Sequence, residues 1–374
     1  MAEEPLKVGV VGCGGFALFA LQQFTQVPGV ELVGMAGTFP EPAEAASARF
    51  DVPDFGTMEE MLTRADVDLV YVATPPFLHH PQAMQALEAG RHVICEKPFA
   101  MTLEQADEMI QAARERDLLV VANLMQRYNP LFEAVRRLIE SKALGKPLHG
   151  YFENYAADES LPPGHWFWDR EKSGGIFVEH GVHFFDLFEG WLGSGKVVAA
   201  QRSLRPGADI EEEVQCTVRY EGGQLVNFYH GFHQPHRLDR QELRLVFERG
   251  DVTLHGWVPT TARIHAIADE ADTRRLCELF PNSRLDVSAG YGPKDRRCQG
   301  RHKDLDVYQL FEMTCGAGQE KMHRYGELLR LLIRDQVAWT RDRSHERVIT
   351  EENGRRSLEV ALEADRLAQS GRGR

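Results

Sequence analysis

Two periodicities divide the chain. Up to about residue 145, short apolar runs alternate with longer stretches whose apolar residues recur every three or four positions. The runs at 7–12, 30–36, 68–73, 91–95 and 117–123 read as buried strands. The stretches at 15–26, 41–49, 57–64, 80–89, 102–115 and 130–141 read as helices. Thr102, with Gln105 three residues on, makes a capping box, and Gly90 closes a helix as a C-terminal glycine does. This rhythm with short turns predicts a doubly wound parallel sheet. After residue 145 the period shortens to two. Segments 148–156, 196–205, 212–220, 224–232, 242–249 and 251–256 read as consecutive strands, with Glu221-Gly222-Gly223 and Arg249-Gly250-Asp251 as hairpin turns. Helical periodicity returns at 320–340 and 355–369, whereas 257–319 is polar and uneven. The expected fold class is α/β: a first domain over 1–128, then an α+β domain over 129–374 with a mostly antiparallel sheet.

Composition narrows the class. A chain of 374 residues exceeds one ordinary domain, and 43% hydrophobic residues support full cores. A net charge of −13 argues against nucleic acid or an anionic membrane as partner. No apolar run reaches the length of a membrane span. None of the six cysteines forms a Cys-x-x-Cys pair, and the acidic start Met1-Ala2-Glu3-Glu4-Pro5 is unlike a signal peptide, so a cytoplasmic protein with reduced thiols is expected.

Chemistry concentrates at strand ends. The first strand runs into Gly12-Cys13-Gly14-Gly15-Phe16-Ala17, a Gly-x-Gly-x-x-Ala turn into a helix. Gly12 serves the tight turn, Gly14 leaves room for a pyrophosphate, and Ala17 lets helix and strand pack closely. The second strand ends at Gly37-Thr38 with no acidic residue for a ribose 2′-hydroxyl and no Arg for a 2′-phosphate. Thr38 can bond either, so the cofactor reads as NAD or NADP. The third strand ends in Thr74-Pro75-Pro76, with His79 opening the next helix, and is placed beside the nicotinamide. The fourth ends in Glu96-Lys97-Pro98, which sets a lysine at the mouth of the cleft.

A second cluster is Ser173-Gly174-Gly175-Ile176-Phe177-Val178-Glu179-His180-Gly181-Val182-His183-Phe184-Phe185-Asp186. If 177–190 is helical, Glu179, His183 and Asp186 share one face, where Glu179 can hold His183 and raise its pKa. His180 points about 100° away from Glu179. A metal site from Glu179, His180 and His183 has poor facing and no obvious fourth ligand, so no metal is expected. Trp166 and Trp168 precede the cluster and can stack on a sugar ring or cover the core.

Taken together, these residues resemble the glucose–fructose oxidoreductase, inositol dehydrogenase and rhizopine-catabolism family (Gfo/Idh/MocA). The resemblance spans almost the whole chain. Besides the motifs above it includes Arg127-Tyr128-Asn129-Pro130, Gly181-Val182-His183 with Asp186, and Val348-Ile349-Thr350-Glu351-Glu352-Asn353-Gly354 near the end. It implies a Rossmann domain binding NAD or NADP and a C-terminal domain whose open sheet pairs subunits, giving a homodimer or homotetramer. It also implies that Lys97 and His183 flank the reacting carbon. Many members carry Asp where this chain has Glu179. The implied activity is oxidation or reduction of a secondary alcohol or ketone of a sugar, sugar derivative or cyclitol. His183 would be the acid/base, Lys97 would polarise the substrate oxygen, and Glu179 or Asp186 would support them. Arg127, Trp166, Trp168 and His180 would meet the substrate. Cofactor contacts are expected from Gly12, Gly14, Gly15, Phe16, Ala17, Thr38, Thr74, Pro75, His79, Glu96 and Lys97. The competing readings are a glycosidase using bound NAD for transient oxidation, and a non-catalytic dinucleotide-binding regulator.

Overall fold

The computed structural model describes residues 4–37, 40–158, 161–299, 304–316 and 320–370. Strands β1 (Leu6–Val11), β2 (Val30–Ala36), β3 (Leu69–Val72), β4 (His92–Cys95) and β5 (Val120–Ala122) form a parallel sheet in the order β2-β1-β3-β4-β5. Helices α1 (Gly15–Phe24), α2 (Pro40–Phe50), α3 (Met58–Arg64), α4 (His79–Glu88) and α5 (Leu103–Glu115) connect them. The strand order reverses at β1 and β3, so their carboxyl ends open a crevice. Buried runs such as Leu69–Val72 explain the apolar strands, because a parallel sheet is covered on both faces.

After α6 (Pro130–Ser141) the chain builds a nine-stranded sheet. Its strands are β6 (Pro147–Tyr155), β7 (Gly195–Leu204), β8 (Glu211–Tyr220), β9 (Leu225–Gly231), β10 (Arg240–Phe247), β11 (Gly250–His255), β12 (Thr261–Ala268), β13 (Arg284–Gly290) and β16 (Gln309–Cys315), with a small hairpin of β14 (Arg297–Gln299) and β15 (Asp304–Asp306) outside it. The spatial order is β13-β16-β12-β11-β10-β6-β9-β8-β7. The β6–β9 pair is parallel and the other pairs antiparallel. Between β6 and β7 lie a short helix at Trp166–Trp168, α7 (Arg170–Ser173), a π-turn at Phe177–Gly181 and α8 (Val182–Leu192). The stretch with no readable pattern, 257–319, thus holds β12, α9 (Glu270–Leu279) and the edge of the sheet. It escaped sequence reading because β13 is largely exposed on both faces, which removes the alternation a half-buried strand shows.

The inner face of the large sheet, with Phe152, Cys216, Val218, Val226 and Phe228 buried, packs against α8 and its Phe184, Phe185 and Phe188. The outer face is polar and aromatic: Arg240 lies over Tyr155 and Arg244 over Tyr151. The alternation over 212–232 is therefore used inside the chain. The last helices return to the first sheet. From α10 (Lys321–Arg341), Tyr325 packs on Phe16 and Phe19 of α1, and Gly354 of α11 (Glu351–Ser370) sits against Phe99 and Ala122. No helix among the described residues is long and apolar enough to cross a membrane.

Candidate active site

The turn between β1 and α1 is built for close approach. Gly12 has φ +105°, and a Cβ there would overlap the Ala73 carbonyl. At Gly14 and Gly15, by contrast, a Cβ would meet nothing within 4 Å. Gly14 caps α1 without a side chain, which leaves the N–H groups of the first turn for a ligand. Ala17 is buried against the sheet. An open cradle of N–H donors at a helix start fits the pyrophosphate of a dinucleotide.

The cradle opens into a cleft of about 1190 Å³. Gly12, Gly14, Gly15, Phe16, Ala17, Thr74, Pro75, Glu96 and Lys97 line it, as do Trp166, Glu179 and His183. Lys97 donates to the carboxylate of Glu179 and, at 2.9 Å, to its main-chain carbonyl. An ammonium group carries three N–H donors, so one remains for a ligand. Glu96, just before it, accepts from Tyr71 Oη and from Asn123 Nδ2 (2.7 Å). Burial pushes the Glu96 carboxyl up, against the pull of those two donors. Three neighbouring strand ends, at Tyr71, Glu96 and Asn123, thereby brace the residue beside Lys97.

His183 is 4% exposed, with Nδ1 sealed off and unpartnered. Burial, and secondarily the Lys97 charge, hold its pKa well below the ordinary value. The expected contact with Glu179 is not formed. The helix begins with a π-turn, which changes the register between the two residues, and Lys97 claims the Glu179 carboxylate. The raised His183 pKa is corrected with it: burial keeps the imidazole neutral.

Other expected site residues go elsewhere. Asp186, 2% exposed, takes three bonds from Arg127, two at its carboxylate and one at its main-chain carbonyl (each 2.8 Å), and one from Asn353 (3.2 Å). Neither Arg127 nor Asp186 lines the cleft; their pair fastens the segment before α6 to α8. His79 is fully buried, each ring nitrogen 2.7 Å from a carbonyl oxygen, of Thr74 or Pro98. It braces two strand-end turns and does not line the cleft. Burial lowers its pKa to about 4. Trp168 Nε1 donates to Leu161 O, and its ring lies against Phe167 and Phe232 under Arg205, so it is packing. His180 turns to His230. Glu179 and His180 therefore serve different partners, and among the described residues no three His, Cys, Asp or Glu converge as metal ligands. Thr38 lies outside the described residues.

The cleft also uses residues that sequence reasoning missed. Asn123 follows β5, where the strand-end logic applied to Lys97 would have found it. His165 borders the cleft and accepts from Phe167 N (3.2 Å). Trp257 and Tyr325 supply aromatic walls from distant segments, and no local pattern marks them.

Comparison with known proteins places both parts of the chain in one family. Residues 6–124 match the family described as GFO_IDH_MocA, oxidoreductase family, NAD-binding Rossmann fold, and residues 132–253 match the GFO/IDH/MocA C-terminal domain. The 1,5-anhydro-D-fructose reductase of Ensifer adhaerens is 32% identical over 231 residues, 60% of this chain and 68% of that protein. The dTDP-3,4-didehydro-2,6-dideoxy-alpha-D-glucose 3-reductase of Saccharopolyspora spinosa is 28% identical over 329 residues, 82% of this chain and 95% of that one. The WlbA dehydrogenase of Bordetella pertussis, solved with NADH and UDP-GlcNAcA, shares the fold with a TM-score of 0.75 at 21% identity, over 99% of this chain and 97% of that one.

Proposed function

Because this chain belongs to the GFO/IDH/MocA family of oxidoreductases, with its NAD-binding Rossmann fold, we propose that it transfers a hydride between nicotinamide and a secondary alcohol or ketone of a sugar, sugar derivative or cyclitol. The observation that carries this reading is the meeting of Lys97, Glu179 and His183 in one cleft with the open Gly14 cradle. Gly12, Gly14, Gly15, Phe16 and Ala17 would hold the dinucleotide, with Thr74, Pro75, Glu96 and Lys97 toward the nicotinamide. When bound, nicotinamide supplies the hydride acceptor or donor.

The residues divide the remaining work. His183, kept neutral by burial, accepts the hydroxyl proton at Nε2 as the alcohol is oxidised and returns it in reduction; this requires the sealed Nδ1 to carry the ring's own proton, a donor left unsatisfied at the reaction centre. Lys97 uses its remaining N–H to bond the substrate oxygen as negative charge develops. Glu179 fixes the direction of that N–H by occupying the other two. Trp166, Trp257 and Tyr325 offer aromatic faces to a ring-shaped substrate and keep water out. The test is reduction of NAD or NADP by purified protein with myo-inositol, scyllo-inositol, D-glucose and 1,5-anhydro-D-glucitol, and the reverse assay with 1,5-anhydro-D-fructose. Hydride transfer with at least one of these is expected. Tight NAD binding with no transfer to any of them would overturn the reading.

A further inference from the structure

Behind the cleft two imidazoles face each other. Nδ1 of His180 lies 2.9 Å from Nδ1 of His230, and both rings are buried. Burial holds both pKa values down, that of His230 to about 3, so the rings are neutral. Between two neutral rings one Nδ1 must donate and the other accept. The remaining nitrogen of His230, Nε2, is sealed in the core without a partner, whereas Nε2 of His180 is not so sealed. A buried orphan N–H is rarer in folded proteins than an orphan acceptor. The proton of His230 therefore sits on Nδ1 and points at His180, which carries its own proton on Nε2.

The placement of the pair gives it a task. His180 follows Glu179 in the π-turn Phe177–Gly181, and that turn sets Glu179 on Lys97. His230 stands on β9, rigidly in the sheet, and its Nε2 lies beneath Gly181, 3.6 Å from where a Cβ would be. On its other side His180 rests on Trp257, a cleft wall, with ring centroids 4.4 Å apart. The surroundings are aromatic, with Phe152, Phe177, Phe184 and Phe185 around His230. A hydrogen bond in an otherwise apolar cluster gives direction that packing alone does not.

We propose that His230 is a positioning residue: through its bond to His180 it anchors the π-turn on the sheet and so holds Glu179 against Lys97. This rests on the reading of Lys97 and Glu179 as the reaction centre, but its test does not depend on turnover. In full-length protein labelled with 15N histidine and lysine, imidazole spectra should place one proton on Nδ1 of His230 and one on Nε2 of His180. The ammonium signal of Lys97, protected by Glu179, should exchange slowly. His230→Phe fits the aromatic cluster; it should keep NAD affinity within about twofold and speed Lys97 exchange roughly tenfold. Where a polyol is turned over, it should lower kcat by a similar factor with a smaller change in KM. His230→Gln, which can still donate, should restore most of both. His180→Phe, on the other side of the bond, should reproduce the His230→Phe result and serves if that variant fails to fold. Unchanged Lys97 exchange in the Phe variants, or a proton on Nδ1 of His180, overturns the proposal. Failure of the wild type to oxidise any polyol would remove the proposed reaction while leaving the exchange result to decide this one.

Discussion

Lys97 donates twice to Glu179, to its carboxylate and to the Glu179 main-chain carbonyl, between the end of β4 and the π-turn before α8. The pair is enclosed, with side chains 18% and 9% exposed. One contact thus ties the end of β4 to the π-turn before α8.

Replacing Lys97 with Met should cut turnover by a factor on the order of 10² while most NAD affinity remains, because the polarising N–H is lost and the Gly14 cradle is untouched. Glu179 would be left buried without its partner, so stability should fall by about 3 kcal/mol, and Lys97→Met/Glu179→Gln should recover most of it. Steady-state kinetics and denaturant unfolding check both. Turnover within a few-fold of wild type would remove Lys97 from the reaction.

Two glycines of one loop should behave differently. Gly14→Val fills open space where a ligand belongs, so it should fold normally and lose NAD binding by calorimetry. Gly12→Ala forces a Cβ into the Ala73 carbonyl at φ +105°, so it should lose more than about 1 kcal/mol of stability. A Gly14→Val protein that binds NAD as wild type does would contradict the cradle.

Arg127 and Asp186 should act on stability more than on chemistry. Arg127→Met leaves Asp186 buried and unpaired, which should cost about 3–5 kcal/mol. Asp186→Asn keeps the shape and should leave kcat within a few-fold of wild type. A large kcat loss in a fully folded Asp186→Asn protein would return Asp186 to the catalytic group.

Acid should unfold the protein through its histidines. Burial depresses His79 and His92 to about 4 and His230 to about 3, and it holds His180 and His183 well below the ordinary value. Below about pH 6.5 the unfolded chain binds protons that the folded chain refuses. Stability is therefore full above that pH and falls as pH drops toward the folded values, by up to about 1.4 kcal/mol per pH unit for each histidine. Urea midpoints at pH 7.5, 6 and 5 should decline in that order. A flat series would show that these rings protonate in the folded state.

The sequence by itself determined the elements and the cofactor loop. Period and turn residues are local properties, so β1 to β11 and the long helices lie within a few residues of where their patterns placed them, and Gly12 to Ala17 and Glu96-Lys97-Pro98 stand at strand ends as read. Tertiary structure decided who meets whom. Glu179 pairs with a lysine 82 residues away instead of a histidine on its own helix, because a π-turn alters the register and packs Glu179 against the residue that follows β4. Arg127 meets Asp186, His180 meets His230, and His79 braces two carbonyls, each across separations that no periodicity encodes. Tyr325, on α10, and Trp257, after β11, enter the cleft from segments distant in the chain. A helical or strand pattern fixes which face of an element is buried; only packing fixes which polar groups share that interior, since each buried one must find its partner there.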